Sequence, residues 1–289
     1  MTITPLEPIL DQLRREPSRI WSIVITVYGD AIVPRGGSVW LGTLTRFFGA
    51  IGIGEGAVRT AMSRLAADGW LVRSRVGRNS FYALAEKGQD TFAAATEHIY
   101  NPPAMPWSGA FELAILPQNG EREAARSHLQ EAGFGSPSPG LWLAPAGAPF
   151  PKAAAETALR LIASTRDETA ARLAAASWPL AQTAEGYRRF LGLFRPLADA
   201  LGSRPALSDE DSFVARILLI HAYRRVILRD PILPPALLPP DWPGAEARRL
   251  CGTIYHALLD PSERWLDEQG LCETGPLPAA DPLLRQRFE

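Results

Sequence analysis

Cysteine and long apolar runs are scarce in this chain of 289 residues. Cys251 and Cys272 are the only two cysteines, and neither lies in a C-x-x-C pair or at a zinc-site spacing. A disulfide-stapled secreted scaffold is therefore not expected. Charged Glu7, Asp11 and Arg14 interrupt what would be the apolar core of a signal peptide, and no later run approaches the roughly 18 to 20 residues of a membrane span. We expect a cytoplasmic protein without a membrane segment.

An excess of charge of one sign is also absent. The 30 basic and 31 acidic residues leave a formal net charge of -1, so any contact with nucleic acid must come from a local basic patch. No G-x-S-x-G motif is present, and the histidines form no metal-binding pair on a helix. These histidines are His98, His128, His221 and His256. The sequence predicts no metal, no cofactor and no catalytic residue.

Length and proline positions predict two or three domains, at about 150 residues per domain. The proline-rich segment 101–106 is a stiff linker. Beyond it, an apolar run at 111–116, a helical stretch at 121–132 and a strand-like piece at 141–143 predict a small β-α-β domain. From about residue 151 an alanine-rich pattern predicts helices to the end of the chain. We place the domains at residues 1–101, 107–180 and 181–289.

Residues 40–67 predict two helices joined by a glycine-rich turn. Apolar residues recur at helical spacing in the first of them, before glycines at 49, 52 and 54 break the chain. On the helical wheel of the second, which starts near Glu55, the apolar side chains fall in one arc. These are Val58, Ala61, Met62 and Leu65. The opposite side carries Arg59, Thr60 and Ser63, and Arg64 lies on the flank, where it can contact a phosphate or pair with Asp68.

Residues 70–84 switch to an alternating pattern with a turn at 77–79, which predicts a β-hairpin. Arg73, Arg75 and Arg78 are its only charged residues, and they can hold the phosphate backbone together with Asn79 at the tip. The residues on the exposed side of the preceding helix can then reach base edges. Helix, turn, helix and wing in this order predict a winged helix-turn-helix that binds duplex DNA. The alternative is that the hairpin arginines only form a solvated surface.

A dinucleotide fingerprint overlaps the turn. Gly52-Ile-Gly54-Glu-Gly56-Ala57 satisfies G-x-G-x-x-A, but that motif requires a preceding strand to direct the following helix at a pyrophosphate. The residues before it have helical periodicity instead, and no acidic ribose partner follows about 20 residues later. A nucleotide cofactor is therefore not expected.

Several segments together resemble one known family, the phenylacetate-degradation transcriptional repressors called the PaaX family. In the first domain these are Thr26-Val-Tyr-Gly-Asp30, Gly36-Gly-Ser-Val-Trp-Leu-Gly42, Glu55-Gly-Ala-Val-Arg-Thr-Ala-Met-Ser-Arg-Leu65, Gly69-Trp-Leu71 and Gly77-Arg-Asn-Ser-Phe-Tyr82. In the last domain they are His221-Ala-Tyr-Arg-Arg225, Asp230-Pro231, Leu237-Leu-Pro-Pro240 and Trp242-Pro-Gly244.

The resemblance implies a homodimeric bacterial repressor with an α+β, multidomain fold. It implies an N-terminal winged helix-turn-helix, a ferredoxin-like middle domain similar to the CRISPR-associated Cas2 fold, and an all-α C-terminal domain. Such repressors bind operators of aromatic-catabolic operons and are released by an acyl-CoA effector, typically phenylacetyl-CoA. The family's recognition-helix positions correspond to Arg59, Thr60, Ser63 and Arg64, and its wing arginine to Arg78. Asn79 stands where an arginine is common, which weakens phosphate binding at the wing tip or alters its register.

An acyl-CoA needs cations for its phosphates, a flat surface for adenine and an apolar hole for the acyl group. The candidate ligand residues are His221, Tyr223, Arg224, Arg225 and Trp242. Structural packing is the alternative role for each of them. The alternative to a repressor is an enzyme. It would be a nuclease, although the first strand of the middle domain carries only Glu112 as an acid, or a thioesterase in the last domain, although Cys251 and His256 are five residues apart without a recognisable nucleophile setting.

Overall fold

The computed structural model describes residues 5–102, 106–117, 122–165, 169–203 and 207–289. It mixes helices with small antiparallel sheets, so the α+β class predicted from the sequence is confirmed. The chain divides into two compact units. Unit 1 comprises Met1–Asn101, Tyr187–Leu228 and Ala245–Glu289, and unit 2 comprises Pro102–Gly186 and Arg229–Gly244. The sequence analysis placed three domains one after another along the chain. Each of the two units instead contains separate segments of the chain. The predicted domain boundaries therefore stay a prediction.

Unit 1 holds most of the helices and two of the sheets. Its helices are α1 (Glu7–Arg15), α2 (Ile20–Val27), α3 (Leu41–Ala50), α4 (Glu55–Ala67), α5 (Glu86–Tyr100), α9 (Leu180–Ser203, which starts in unit 2), α10 (Asp209–Ile227) and α11 (Gly244–Gln269). Its strands are β1 (Ser38–Trp40), β2 (Leu71–Val76), β3 (Asn79–Leu84), β8 (Leu271–Cys272) and β9 (Gly275–Pro276). A π-helical turn, Tyr28–Ile32, continues α2.

The first sheet of unit 1 has the strand order β1-β3-β2. The β2–β3 hairpin was predicted from its alternation, and its turn contains Gly77 at φ 59°, a left-handed conformation that glycine adopts without strain. The third strand, β1, was not predicted. It has only three residues, and pairs antiparallel with β3 from Ser38 opposite Ala83 to Trp40 opposite Phe81. So short a strand leaves no periodicity to detect.

Helix α10 forms the centre of unit 1. Ser208 caps its start, since the Ser208 hydroxyl accepts a hydrogen bond of 3.0 Å from the backbone N–H of Asp211. Every residue from Ser212 to His221 is buried, including the guanidinium of Arg216. A helix that is buried on all sides is a core helix.

Unit 2 contains a four-stranded antiparallel sheet of order β5-β6-β4-β7. Its elements are β4 (Ala110–Ile115), α6 (Arg122–Glu131), β5 (Gly135–Ser138), β6 (Leu141–Pro145), α7 (Lys152–Ala155), β7 (Leu159–Ser164) and α8 (Thr169–Ser177). One apolar cluster contains Phe111, Leu143 and Trp178, and another contains Ala114, Leu129 and Trp142. Because neighbouring strand residues point to opposite faces, the two clusters cover the two faces of the sheet.

The sequence prediction for unit 2 is correct for β4, α6 and β6 but omits β5 and β7. Strand β7 also corrects the expectation that the chain is helical from about residue 151. Leu159–Ser164 pairs along its whole length with β4, and these long-range hydrogen bonds override a composition that favours helix. Among the helices described, none is long and apolar enough to cross a bilayer.

Candidate nucleic-acid interface

Helix α4 presents the predicted polar side chains on its exposed side. Its apolar stripe is buried in unit 1, with Val58 and Met62 completely inaccessible. The four predicted contact residues are all exposed and line one surface recess. They are Arg59, Thr60, Ser63 and Arg64. The helical wheel therefore placed both sides of α4 correctly.

Two of these side chains are held by the helix itself. Arg59 forms an ion pair with Glu55 one turn earlier, with its Nε 2.7 Å from the carboxylate. The Thr60 hydroxyl donates to the Gly56 carbonyl at 2.9 Å. Arg64 forms no ion pair with Asp68 or with any other described residue, so its charge is directed to solvent. On the exposed side of α4, the Arg64 guanidinium is therefore free to bind an anion. The Arg59 guanidinium can bind one only if that anion displaces the Glu55 carboxylate.

The β2–β3 hairpin carries the other predicted contacts, all of them exposed: Arg73, Arg75, Arg78 and Asn79. Arg73 donates to the Ser80 hydroxyl at 2.8 Å and lies over the Tyr82 ring. Arg75 lies two residues further along the same strand, and therefore on the same side of the hairpin as Arg73. Arg78 is in the turn and makes no ion pair within the described part of the chain.

A distant carboxylate braces this hairpin, which sequence reasoning missed. Glu273 accepts hydrogen bonds from the hydroxyls of Ser74 on β2, at 2.6 Å, and Ser38 on β1, at 2.7 Å. Partial burial opposes ionisation of Glu273, but these hydrogen bonds outweigh it and hold the pKa of Glu273 below its usual value. The Tyr28 hydroxyl likewise donates to the Tyr82 carbonyl on β3 at 2.9 Å. The hairpin is therefore anchored to segments at both ends of the chain.

Comparison with known proteins gives the family. A family model described as PaaX-like protein matches residues 19–88, and one described as the PaaX-like protein C-terminal domain matches residues 178–268. The transcriptional repressor PaaX of Escherichia coli (strain K12) is 36% identical over 284 residues, which cover 92% of this chain and 89% of that protein. The chain belongs to the PaaX family.

A solved structure of an uncharacterized protein from Mycobacterium tuberculosis is also similar, with a TM-score of 0.52 and 28% identity. The match covers 76% of this chain and 88% of that one. The first PaaX segment contains α3, α4 and the β2–β3 hairpin, and the second contains α10 and most of α11. Both matched segments contribute to unit 1.

The five candidate ligand residues are divided between the two units. His221, Tyr223, Arg224 and Arg225 lie on α10 in unit 1, whereas Trp242 lies in unit 2, packed against the cluster that contains Phe111 and Leu143. Tyr223 is fully buried and its ring contacts Phe190 and Phe288.

His221 is the centre of a hydrogen-bonded chain. The Thr26 hydroxyl donates to the Ser22 carbonyl at 3.1 Å, so it accepts from His221 Nδ1, 3.1 Å away. His221 Nε2 then accepts from the Ser18 hydroxyl at 3.0 Å, and Ser18 in turn accepts from Arg225 at 3.4 Å. Burial, with the charges of Arg224 and Arg225 adding to it, lowers the pKa of His221 to about 3. His221 is therefore a neutral, buried residue that tethers α10 to α2.

Sequence reasoning missed a buried ionic cluster in unit 1. The Asp30 carboxylate forms ion pairs with Arg216 Nε at 2.7 Å and with the Arg287 guanidinium at 2.9 Å. The contact with Arg216 Nε does not have the geometry of a hydrogen bond. The Tyr100 hydroxyl donates to the same carboxylate at 2.5 Å. Arg216 also pairs with Glu263 at 2.5 Å. Asp30, in the Thr26–Asp30 motif, thus joins the N-terminal segment to α10, α5 and the C-terminus.

Two of the residues considered for enzymatic chemistry, Glu112 and Cys251, are buried within the fold. Glu112 is buried and pairs with Arg160 at 2.9 Å. Burial raises the pKa of the Cys251 thiol well above its usual value, so that thiol stays protonated, while His256 is exposed. Within the described ranges no group of three or more histidine, cysteine or acidic residues is arranged to hold a metal ion.

Proposed function

We propose that this protein is a DNA-binding transcriptional repressor of an aromatic, phenylacetate-type catabolic operon, acting in the cytoplasm as a homodimer and released by an acyl-CoA effector. The observation that carries the proposal is the exposed polar side of α4 beside a hairpin whose charges are all positive. The name of the E. coli relative supports the repressor role. The protonated thiol of Cys251 and the paired Glu112 support a protein that binds ligands without catalysing their conversion.

The finer fold follows from the element order. We propose that residues 1–101 form a winged helix-turn-helix, with α4 as recognition helix and the β2–β3 hairpin as wing. In unit 2 the order β-α-β-β-α-β, with the first strand between the third and fourth, supports a ferredoxin-like middle domain. The buried α10, with α9 and α11, supports a C-terminal domain that is helical apart from the short β8–β9 pair, which corrects the all-α expectation.

In this proposal the two elements have different tasks. Thr60, Ser63 and a released Arg59 reach base edges in the major groove, where arginine and hydroxyl groups read sequence. Arg64 and the wing residues Arg73, Arg75, Arg78 and Asn79 contact phosphates and fix the register. Phosphate charge near the start of α4 competes with Glu55 for Arg59, because a multiply charged backbone attracts the guanidinium more strongly than one exposed carboxylate.

Replacing Arg59 and Arg78 separately tests this division. Arg59→Ala is expected to weaken binding to the specific operator by about 1–3 kcal/mol and to relax sequence preference, because a base contact is lost. Arg78→Ala is expected to weaken binding to all duplexes alike and to reduce the slope of log affinity against log salt by about 1. Fluorescence anisotropy with operator and scrambled duplexes at several salt concentrations measures both effects.

The control variant is Arg126→Ala on α6 of unit 2, an exposed arginine outside the proposed interface. Its affinity and salt slope should equal those of the unmodified protein. Unchanged operator affinity in Arg59→Ala would show that α4 does not read bases. Failure of the unmodified protein to bind any duplex at low salt would overturn the repressor proposal.

The free edge of the unit 2 sheet supports the homodimer. Among the strands that the structure describes, β7 pairs only with β4, and Leu159 and Ile162 on it are 70% and 71% exposed. If two copies of β7 pair antiparallel across a two-fold axis, their apolar residues lie opposite one another. This pairing also covers the sheet edge, which a monomer would have to protect in another way. Two recognition helices per dimer would then meet two half-sites.

Ile162→Lys is expected to convert the dimer to a monomer, because a charged residue on an edge strand opposes pairing. Sedimentation velocity measures the change, and operator affinity should fall with it as one half-site contact is lost. Leu283→Lys, at an exposed leucine in unit 1, is the matched control. If Ile162→Lys still sediments as a dimer, the interface lies elsewhere.

A further inference from the structure

Unit 1 contains a half-enclosed cavity to which no role has been assigned above. It lies between α2, α5 and α10 and has a volume of about 210 Å³. Its walls are mostly apolar, from residues such as Ile25, Phe92, Ile99 and Ile220. Cavities of about 150 Å³ hold benzene, so this space accommodates one aromatic ring with a short chain.

One charged group in the cavity wall lacks a counter-charge. The Arg224 guanidinium forms no hydrogen bond or ion pair with the described residues, and its Nε is buried. Asp30, the acid in the same wall, is already bound by Arg216, Arg287 and Tyr100. Burial, with repulsion from Arg225, lowers the pKa of Arg224 below its usual value. A guanidinium in an apolar wall is stabilised by an oxygen acceptor delivered by a ligand.

We propose that the α2/α5/α10 cavity binds a compact aromatic or aliphatic acyl group whose carboxyl oxygen accepts hydrogen bonds from Arg224. A free carboxylate and a thioester carbonyl present the same acceptor at this position, and the two are separated by experiment below. The inference deepens the proposed function, on which it rests for the identity of the occupant as the inducing effector.

The cavity also contacts the joint between the recognition helix and the wing. Trp70 lies in its wall and follows α4 directly before β2. The Trp70 backbone N–H donates to Leu65 of α4 at 2.9 Å, and the Trp70 carbonyl accepts from Ala85 just after β3 at 2.9 Å. A ligand that displaces the Trp70 ring therefore acts on both DNA-contacting elements. Induction then requires only that the ligand prefer the displaced position of Trp70.

Titration calorimetry on the DNA-free full-length protein tests the site. The probes are phenylacetate, phenylacetyl-CoA and, as a ligand without an acyl group, coenzyme A. Arg224→Gln is expected to weaken binding at least about tenfold, the order of one charge-assisted hydrogen bond. Ala95→Trp, at a partly exposed position in the cavity wall, is expected to abolish binding by filling the space. Arg249→Gln, at an exposed arginine of α11, should bind like the unmodified protein.

Each outcome bears on the proposal. Binding of phenylacetate alone assigns a carboxylate to Arg224, and binding of phenylacetyl-CoA alone assigns a carbonyl. Binding of neither probe, or binding that Ala95→Trp and Arg224→Gln leave unchanged, overturns the site. Circular dichroism melts of both variants confirm that they are folded.

The experiment separates this inference from the repressor proposal, because it contains no DNA. Arg59→Ala should bind the acyl ligand normally, and Arg224→Gln should bind operator normally yet resist release by the ligand. A protein that binds ligand in the cavity but no duplex would keep the site and refute the repressor. A protein that binds operator but neither probe would keep the repressor and refute the site.

Discussion

Replacing Asp30 with asparagine is expected to destabilise unit 1 by about 3–5 kcal/mol, the usual effect of breaking a buried ion pair. The substitution keeps the side-chain size but leaves Arg216 and Arg287 without their shared counter-charge. Arg216 is completely inaccessible and Arg287 is 7% exposed, so solvent cannot replace the lost carboxylate. Native proteins have a free energy of unfolding of only about 5–15 kcal/mol, so this single substitution is expected to remove a large part of the stability of the fold.

Urea denaturation followed by circular dichroism measures the effect. Asp260→Asn is the matched control, since Asp260 also pairs with an arginine, Arg285, but both side chains are more than half exposed. Exposed pairs contribute at most about 1 kcal/mol. If the two variants unfold at the same urea concentration, the Asp30 cluster does not stabilise the fold.

The Asp30 cluster has a consequence for function. Asp30 lies in the segment that precedes the elements proposed to contact DNA, while Arg216 and Arg287 come from the C-terminal part of the chain. Glu273 adds a second link, to β1 and β2. The elements proposed to bind DNA and the helix that carries Arg224 are therefore held in one compact unit. A change at α10 can reach the β2–β3 hairpin through packed residues within that unit.

The elements near the candidate interface were predictable because their signals are local. The apolar stripe of α4 and the alternation of the β2–β3 hairpin each depend on residues a few positions apart. The links that hold them in place are not local. Glu273 meets Ser74 across 199 positions, and Arg287 meets Asp30 across 257. Periodicity contains no information about such pairs, so their roles were missed.

The candidate ligand residues show the same difference between local and long-range information. Sequence chemistry identified histidine, tyrosine and arginine on α10 as suitable for an acyl-CoA, but it could not tell which side of the helix each would occupy. The structure places Arg224 in a cavity wall, whereas Tyr223 is packed among aromatic rings. The side of α10 that carries His221 faces Ser18 and Thr26. Only the cavity separates Arg224, the proposed ligand contact, from the core residues on the same helix.

His221 is expected to make the protein acid-labile. Its pKa is about 3 in the fold, against 6.5 for the unburied group, so only the unfolded chain takes up its proton as the pH falls. The stabilisation is complete above about pH 6.5 and is lost as the pH falls towards 3, at up to about 1.4 kcal/mol per pH unit. By pH 5 the free energy of unfolding should drop by about 2 kcal/mol from this residue alone.

His221→Gln isolates that contribution, because glutamine can keep hydrogen bonds to Ser18 and Thr26 but does not titrate. Urea denaturation at several pH values between 7.5 and 4.5 should show a steeper loss of stability for the unmodified protein than for the variant. The carboxylates titrate in both proteins and affect both curves. The difference between the two curves therefore measures the contribution of His221 to the pH dependence of the free energy of unfolding. Parallel curves would mean that His221 takes up its proton as readily in the folded protein as in the unfolded chain, which contradicts a lowered pKa, and its chain of hydrogen bonds from Ser18 to Thr26 would then have to be arranged differently.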